Sequence, residues 1–196
     1  MQLVIASQNM HKIRECRAIL KALPGLDVLS LMDFPKYTPP PETGSTFEEN
    51  AILKAVHAAD ALNHWVIADD SGLVVPSLNG APGVFSARYC GAGAADKDNR
   101  QKLLHEMSQL KDGQRDAQFE CCIALASPDG LKKCVHGICH GTIATQERGS
   151  RGHGYDPLFV KFEYSKTFGE LDEDTKNRIS HRRKALDKIL ILVESL

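Results

Sequence analysis

A chain of 196 residues is long enough for one α/β core, or for two small lobes sharing a sheet, and it can bury most of its apolar surface without covalent staples. Its 24 Lys and Arg nearly cancel its 25 Asp and Glu, so no global field argues for nucleic acid or an anionic membrane as a partner, and an anionic ligand must be held locally. Six cysteines with no CxxC pair lie within or beside apolar stretches, which fits reduced thiols used as small core residues.

The N-terminal MQLVIASQNMHK carries no basic leader, and its apolar run is too short for a signal peptide or a membrane span, so a cytoplasmic protein is expected. LVIAS at 3–7 predicts a short strand. HKIRECRAILKAL then places Ile13, Cys16, Ile19, Leu20 and Leu23 at helical spacing before Pro24-Gly25 stops it. LDVLSL predicts a second strand, and the prolines of PKYTPPPETGS an exposed loop. Ser45 with Glu48 three residues later has the form of a capping box opening a helix over EENAILKAVHAADAL. VIADDSGLVV at 66–75 reads as a buried strand interrupted by Asp69-Asp70-Ser71-Gly72. LNGAPGVFSARYCGAG is too rich in Gly and Pro for either regular period and predicts a long ordered loop.

DKDNRQKLLHEMSQL predicts a helix, and DAQFECCIALASPDGLKKCVHGICHGTIATQ two strands around a Pro-Asp-Gly turn. The glycine-rich RGSRGHGYDP leads into PLFV and a final helix, RRKALDKILILVESL. Strands alternating with helices, interrupted by one antiparallel hairpin, predict a mixed-sheet α/β protein rather than a purely parallel doubly wound one.

Adjacent carboxylates at a strand end disfavour each other's ionisation unless a cation, a metal or open water relieves them. Asp69 and Asp70, with Glu42 from the proline-rich loop, supply the oxygen ligands that Mg²⁺ takes alongside water and substrate phosphates. Strand alternation points the two aspartates opposite ways, and which of them faces a metal stays open. SQNMHK at 7–12 sits where a strand turns into a helix and backbone N–H groups face outward, a turn that suits phosphate, with Lys12 one turn further on. GHGYDP at 152–157 offers Tyr155 as a stacking platform and Asp156 as an acceptor for a base edge.

TKNRISHRRKAL gathers Lys176, Arg178, His181, Arg182, Arg183 and Lys184, and helical spacing brings Arg178 and His181 onto one face with Arg182 beside them. Positive charge at a helix N-terminus calls for an anion opposite it. Cys134, His136 and His140 suggest zinc, but on an extended strand the two histidines stand about 13 Å apart, so they are not expected to share one ion.

Taken in order, SQNMHK, ETGSTFEENAILKA, ADDSGLVVPSLNGAPGVFSARY, GYDPLF and ISHRRKAL resemble the signature segments of the Ham1 family of inosine triphosphate pyrophosphatases. The likeness spans nearly the whole chain. It implies a single two-lobed α/β domain over 1–196, a mixed parallel and antiparallel twisted sheet flanked by helices, a central cleft, a homodimer and Mg²⁺ dependence. It also implies hydrolysis of ITP, dITP and XTP to the monophosphate and pyrophosphate. Carried over residue by residue, Asp70 would activate water and share Mg²⁺ with Glu42. The turn Ser7, Gln8, Asn9, Met10, His11 and Lys12 would hold the triphosphate with Lys54, and Ser71 would contact substrate. His153, Gly154, Tyr155 and Asp156 would form the base pocket, and Lys176, His181 and Arg182 would reach base and phosphates.

The family's usual Thr-Gly is Ser7-Gln8 here, and His153 stands where Phe is common. An imidazole covers less of a purine and gains charge below neutral pH. The related Maf-like group, acting on pyrimidine or modified nucleotides, is the alternative enzyme. A nucleic-acid-binding module built on Lys176 to Lys184 is the alternative from another class, and the balanced charge counts against it.

Overall fold

The computed structural model describes residues 1–110 and 113–194. Strands β1 (Gln2–Ile5), β2 (Asp27–Ser30), β3 (Trp65–Val74), β4 (Asp116–Ser127), β5 (Gly130–Ile143) and β6 (Phe159–Lys161) form one sheet in the order β2-β1-β3-β4-β5-β6. β1 pairs parallel with both β2 and β3, and β5 pairs antiparallel with β6. The expected mixed-sheet α/β architecture is therefore the observed one. Helices α1 (Met10–Leu20), α2 (Phe47–Leu62), α3 (Asp96–Met107), α4 (Glu173–Ile179) and α5 (His181–Val193) complete it. Among the described residues no helix is long and apolar enough to cross a membrane.

The chain divides into two compact units, and β3, β4 and β5 contribute residues to both. The first holds Met1–Asp70, Cys121–Gly137 and the residues from His181 onward. Its core packs Leu3, Ile5, Ile13, Leu20, Ile67, Ile123 and Leu186. β1 and the first half of β3 are buried on both faces, as parallel strands inside a sheet are, which is why both read as unbroken apolar runs. At Gly137 a Cβ would meet the His181 carbonyl oxygen at 2.1 Å and the Ala185 nitrogen at 2.5 Å, so only glycine lets α5 lie this close to β5.

The second unit holds Ser71–Glu120 and Ile138–Ser180. Its core is aromatic: Phe119 and Phe159 have ring centroids 4.7 Å apart, and Phe159 and Phe168 5.0 Å. The Gly- and Pro-rich segment after β3 is ordered, as expected, through two 3-10 turns, Pro76–Leu78 and Gly83–Arg88. Ser86 ties it to the strand by accepting from the Leu73 N–H at 2.9 Å.

Besides shifts of one to three residues at several element ends, three differences from the sequence reading bear on the site. α1 begins at Met10 and ends at Leu20, before Leu23. The cap of α2 is Thr46 rather than Ser45: the Thr46 hydroxyl accepts from the Glu49 N–H at 3.1 Å, and the Glu49 carboxylate accepts from the Ser45 N–H and hydroxyl at 2.7 and 2.8 Å. The cap is shifted by one residue, so Glu49 rather than Glu48 takes the third helical position and reaches back past the cap to Ser45. The C-terminal basic stretch is two helices, since Ser180 adopts an extended conformation (φ −69°, ψ 160°) between α4 and α5. Arg178 and His181 therefore do not share a helix face.

Replacing Thr46 by Ala should cost about 1 kcal/mol, the usual loss for an N-cap, whereas E48Q in cation-free buffer should leave stability within about 0.5 kcal/mol, as expected of an exposed charge. Urea unfolding of the two variants measures the contrast.

Candidate active site

In the first unit, α1, α2, the proline-rich loop, β3 and α5 bring one set of charged groups together around the Asp69-Asp70 pair. Strand alternation sends the two carboxylates to different partners. Asp69, nearly fully buried, meets Lys12 Nζ at 3.1 Å and Arg182 Nη2 at 3.0 Å. Asp70 takes the other side, where its Oδ1 lies 3.3 Å from Lys54 Nζ and its Oδ2 accepts from the Asn50 side-chain amide at 3.1 Å. Lys54 uses its remaining donors on Glu42 Oε1 at 2.6 Å and on the Asp69 carbonyl at 2.7 Å.

The environments push the two ionisations apart. Burial works against a charge on Asp69, but Lys12, Arg182 and Lys54 outweigh it and hold the carboxyl well below the usual carboxylate range. For Asp70 burial dominates and Glu42 adds repulsion; Lys54, Lys12 and the Asn50 amide recover only part, so its pKa is raised. Burial would lower Lys54, yet Asp70, Asp69 and Glu42 raise it, and it stays a cation. Two adjacent carboxylates are thus divided into a permanent anion and a proton acceptor nearer its working range, the pattern that separates acid–base roles in catalytic sites.

Arg182 is 1 % exposed. Its guanidinium binds Glu15 through Nη1 and Asp69 through Nε and Nη2. The anions opposite the positive start of α5 are these two carboxylates, and Arg182 is bonded to both. His181 is also buried.

The turn before α1 has the expected form. Asn9 caps the helix, accepting from the His11 and Lys12 N–H groups at 2.9 and 3.3 Å, and the Ser7 hydroxyl accepts from the Asn9 N–H at 3.1 Å. Gln8, Met10 and His11 are exposed, and Lys12 is engaged by Asp69.

In the second unit the GHGYDP loop differs from its sequence reading. Tyr155 is no open platform: it is buried, and its hydroxyl donates to the Ser86 carbonyl at 2.9 Å. Asp156 is buried as well, bound by the Lys176 ammonium and by the His153 N–H at 2.8 Å. Both belong to the scaffold of the loop. Arg100 Nη1 donates to the Gly154 carbonyl at 2.9 Å, and the Gly154 N–H donates to Asp96 at 2.6 Å. His153 keeps a partly exposed ring, and Ser71 is half-buried on β3.

Two partners escaped the sequence reading. Asn50 is fully buried and couples the loop to the strand, accepting from the Gly44 N–H at 2.8 Å while donating to Asp70. Its signal is a polar residue at a core-facing turn of α2, beside a glycine whose Cβ would stand 2.7 Å from the Asn50 amide oxygen. Glu15 interrupts the apolar stripe of α1 and is 4 % exposed, a burial that an unpaired carboxylate does not tolerate.

A mixed sheet with a carboxylate pair midway along β3, where the sequence reading had expected a strand end, and with lysines of two helices facing that pair, defines a class of protein suited to an anionic ligand. The chain belongs to the Ham1 family, whose sequence profile matches residues 3–191. It is 55 % identical over 197 aligned positions to the dITP/XTP pyrophosphatase of Protochlamydia amoebophila, covering all of this chain and 99 % of that protein. It is 54 % identical to the dITP/XTP pyrophosphatase of Chlamydia abortus, covering all of this chain and 96 % of that one. Among solved structures, the HAM1 protein of Coxiella burnetii superposes with a TM-score of 0.90 at 40 % identity over the whole of both chains. The Ham1 protein of Staphylococcus aureus gives 0.87 at 43 % identity, over 100 % of this chain and 99 % of that one.

Removing one member of a buried charge cluster leaves the others uncompensated, so D69N and E15Q should each cost about 3 kcal/mol at neutral pH. Because the Asp69 pKa is depressed by folding, its contribution is present above the ordinary carboxylate pKa and is lost as pH falls from about 5 towards 2. Thermal melts across that range should show a flatter acid dependence in D69N than in the wild type.

Proposed function

We propose that this chain hydrolyses noncanonical purine nucleoside triphosphates, with dITP, XTP and ITP as substrates, to the nucleoside monophosphate and pyrophosphate. The observation that carries the reading is the divergence of Asp69 and Asp70, one held as an anion and the other raised beside Lys54. Curated relatives that align along the full chain bear the dITP/XTP pyrophosphatase name. A homodimer in the cytoplasm is the expected setting.

Asp70, as general base, takes the proton from a water that attacks the α-phosphorus in line, and the bond to the bridging oxygen of the β-phosphate breaks to release pyrophosphate. Lys12 and Lys54 exchange carboxylate contacts for phosphate oxygens and neutralise charge there. Arg182, held in place by Glu15, acts one step back, helping to keep Asp69 ionised beside Lys12. Glu42 and Asp70 suit a hard divalent cation, since an oxygen of each already converges on the single Lys54 ammonium and both are oxygen donors. Mg²⁺ held by these two carboxylates supplies charge neutralisation and polarisation of the phosphoryl group. In the second unit, His153 keeps a partly exposed ring, with Tyr155, Asp156 and Lys176 fixing the loop that carries it.

Incubation with Mg²⁺ and ITP, dITP, XTP, GTP, ATP, UTP, CTP and dTTP, followed by phosphorus NMR, should give pyrophosphate from the first three. Orthophosphate as the first product would overturn attack at the α-phosphorus, and a preference for pyrimidine substrates would favour the Maf-like alternative. D70N should lower turnover by about 10²–10⁴-fold. A carboxyl raised by folding favours the native state when protonated and loses that contribution as pH climbs through its native pKa. The amide mimics the protonated form, so at neutral pH D70N should melt no lower than the wild type.

A further inference from the structure

The face of β5 that points away from the core carries chemistry that nucleotide hydrolysis does not use. Cys134 and His136 are two residues apart and so share that face. Glu48, in the first turn of α2, reaches them: its Oε2 lies 3.1 Å from His136 Nε2. One donor atom from each of Glu48, Cys134 and His136 falls within 4.8 Å of the others. Cys122, from the neighbouring strand β4, places its sulfur 2.9 Å from His136 Nδ1.

We propose that Glu48, Cys134 and His136 bind a divalent cation of the zinc class, with Cys122 orienting the imidazole. The donor set selects the metal. A thiolate and an imidazole favour zinc over magnesium or calcium, which take oxygen alone. Tetrahedral bonds of about 2.0–2.3 Å need donor atoms roughly 3.3–3.8 Å apart. Glu48 Oε2 and His136 Nε2 are already 3.1 Å apart, and no donor pair is separated by more than 4.8 Å, within reach of small side-chain rotations. Three protein donors leave the fourth position to solvent or to an exogenous ligand.

The surroundings support the same assignment. His136 uses Nε2 towards Glu48 and Nδ1 towards Cys122, and a thiol can either donate or accept. Without metal, the Cys122 S–H donates to Nδ1 and the Nε2 proton faces Glu48. With metal, the ring proton sits on Nδ1 facing the Cys122 sulfur, and Nε2 turns its lone pair to the cation, the outer contact that metal-bound histidines habitually keep. The Cys134 thiol is raised by partial burial and by the Glu48 carboxylate, an unfavourable carboxylate–thiolate meeting that a cation between them relieves. Binding therefore releases the Cys134 proton. The frame is firm: Lys188 of α5 donates to the His136 carbonyl at 2.7 Å, and Glu48 stands in a capped helix start. His140 takes no part; the third donor comes from α2, which strand spacing alone does not reveal.

Titration of the full, EDTA-treated chain with Co²⁺ in excess Mg²⁺ tests this. One equivalent should produce a near-ultraviolet thiolate-to-cobalt band that Zn²⁺ displaces stoichiometrically. C134S should abolish the band, and H136Q and E48Q should each weaken Co²⁺ affinity more than about 10-fold, the loss that even an outer partner's removal brings. Thermal melts without metal should match the wild type for all three, since the residues are exposed or half-exposed. No thiolate band at one equivalent, a band that survives C134S, or wild-type affinity in E48Q would each overturn the assignment.

Discussion

The bond between Arg182 and Asp69 is the constraint on which the chemistry of this protein rests. A guanidinium removed from water has to be matched in charge and geometry, and Asp69 with Glu15 provides both. Arg182 bonds Asp69, while Lys12 and Lys54 act on both aspartates. For Asp70, burial and the repelling Glu42 carboxylate outweigh Lys54, Lys12 and the Asn50 amide, so its proton affinity rises. The β alternation that turns consecutive side chains to opposite faces is what allows two adjacent aspartates to live in such different fields. Had they lain on one face, each would have raised the other and neither would have been a reliable anion.

The lysines follow from the same division. Lys12 sits on the Asp69 side, in the first turn of α1, and Lys54 on the Asp70 side, midway along α2. Asn9, which caps α1 by accepting from the Lys12 N–H itself, thus fixes the backbone from which that ammonium meets the strand. Lysine suits the task, because its point charge on a flexible stem can move from a carboxylate to a phosphate oxygen, whereas a forked guanidinium suits the fixed structural role that Arg182 has. Asn50 links the Glu42 loop to the reactive carboxylate through Gly44, so the loop cannot shift without changing the hydrogen bond that tempers Asp70.

Much of this was readable in the chain because it is local. The strand–turn–helix around SQNMHK, the hairpin around Pro-Asp-Gly and the acidic pair on β3 each declare themselves within a dozen residues, although the strand runs on past the pair to Val74. What escaped is long-range. Glu15 looks like an exposed residue of an amphipathic helix until α5 is laid across it, 167 residues later. Tyr155 in a glycine-rich loop has the composition of a stacking platform, and only the packing of the second unit reveals that its ring is core and its hydroxyl is spent on Ser86. The break at Ser180 carries no proline or glycine, so continuous helical spacing was the natural reading of the basic stretch. The shifted cap at Thr46 is a near tie between two adjacent boxes, which tertiary contacts decide.

The wide sequence separation has a consequence for how the site is assembled. Asp69 meets Arg182 across 113 residues, so one cation of the site comes from the far end of the chain. Arg182 joins Lys12 and Lys54 in holding the Asp69 carboxyl low, while the raised pKa of Asp70 comes from burial and from Glu42. The anionic half of the pair therefore depends on the last helix as well as on the strand and turn that carry the recognisable residues, and the proton-accepting half on the loop and helix that enclose Asp70.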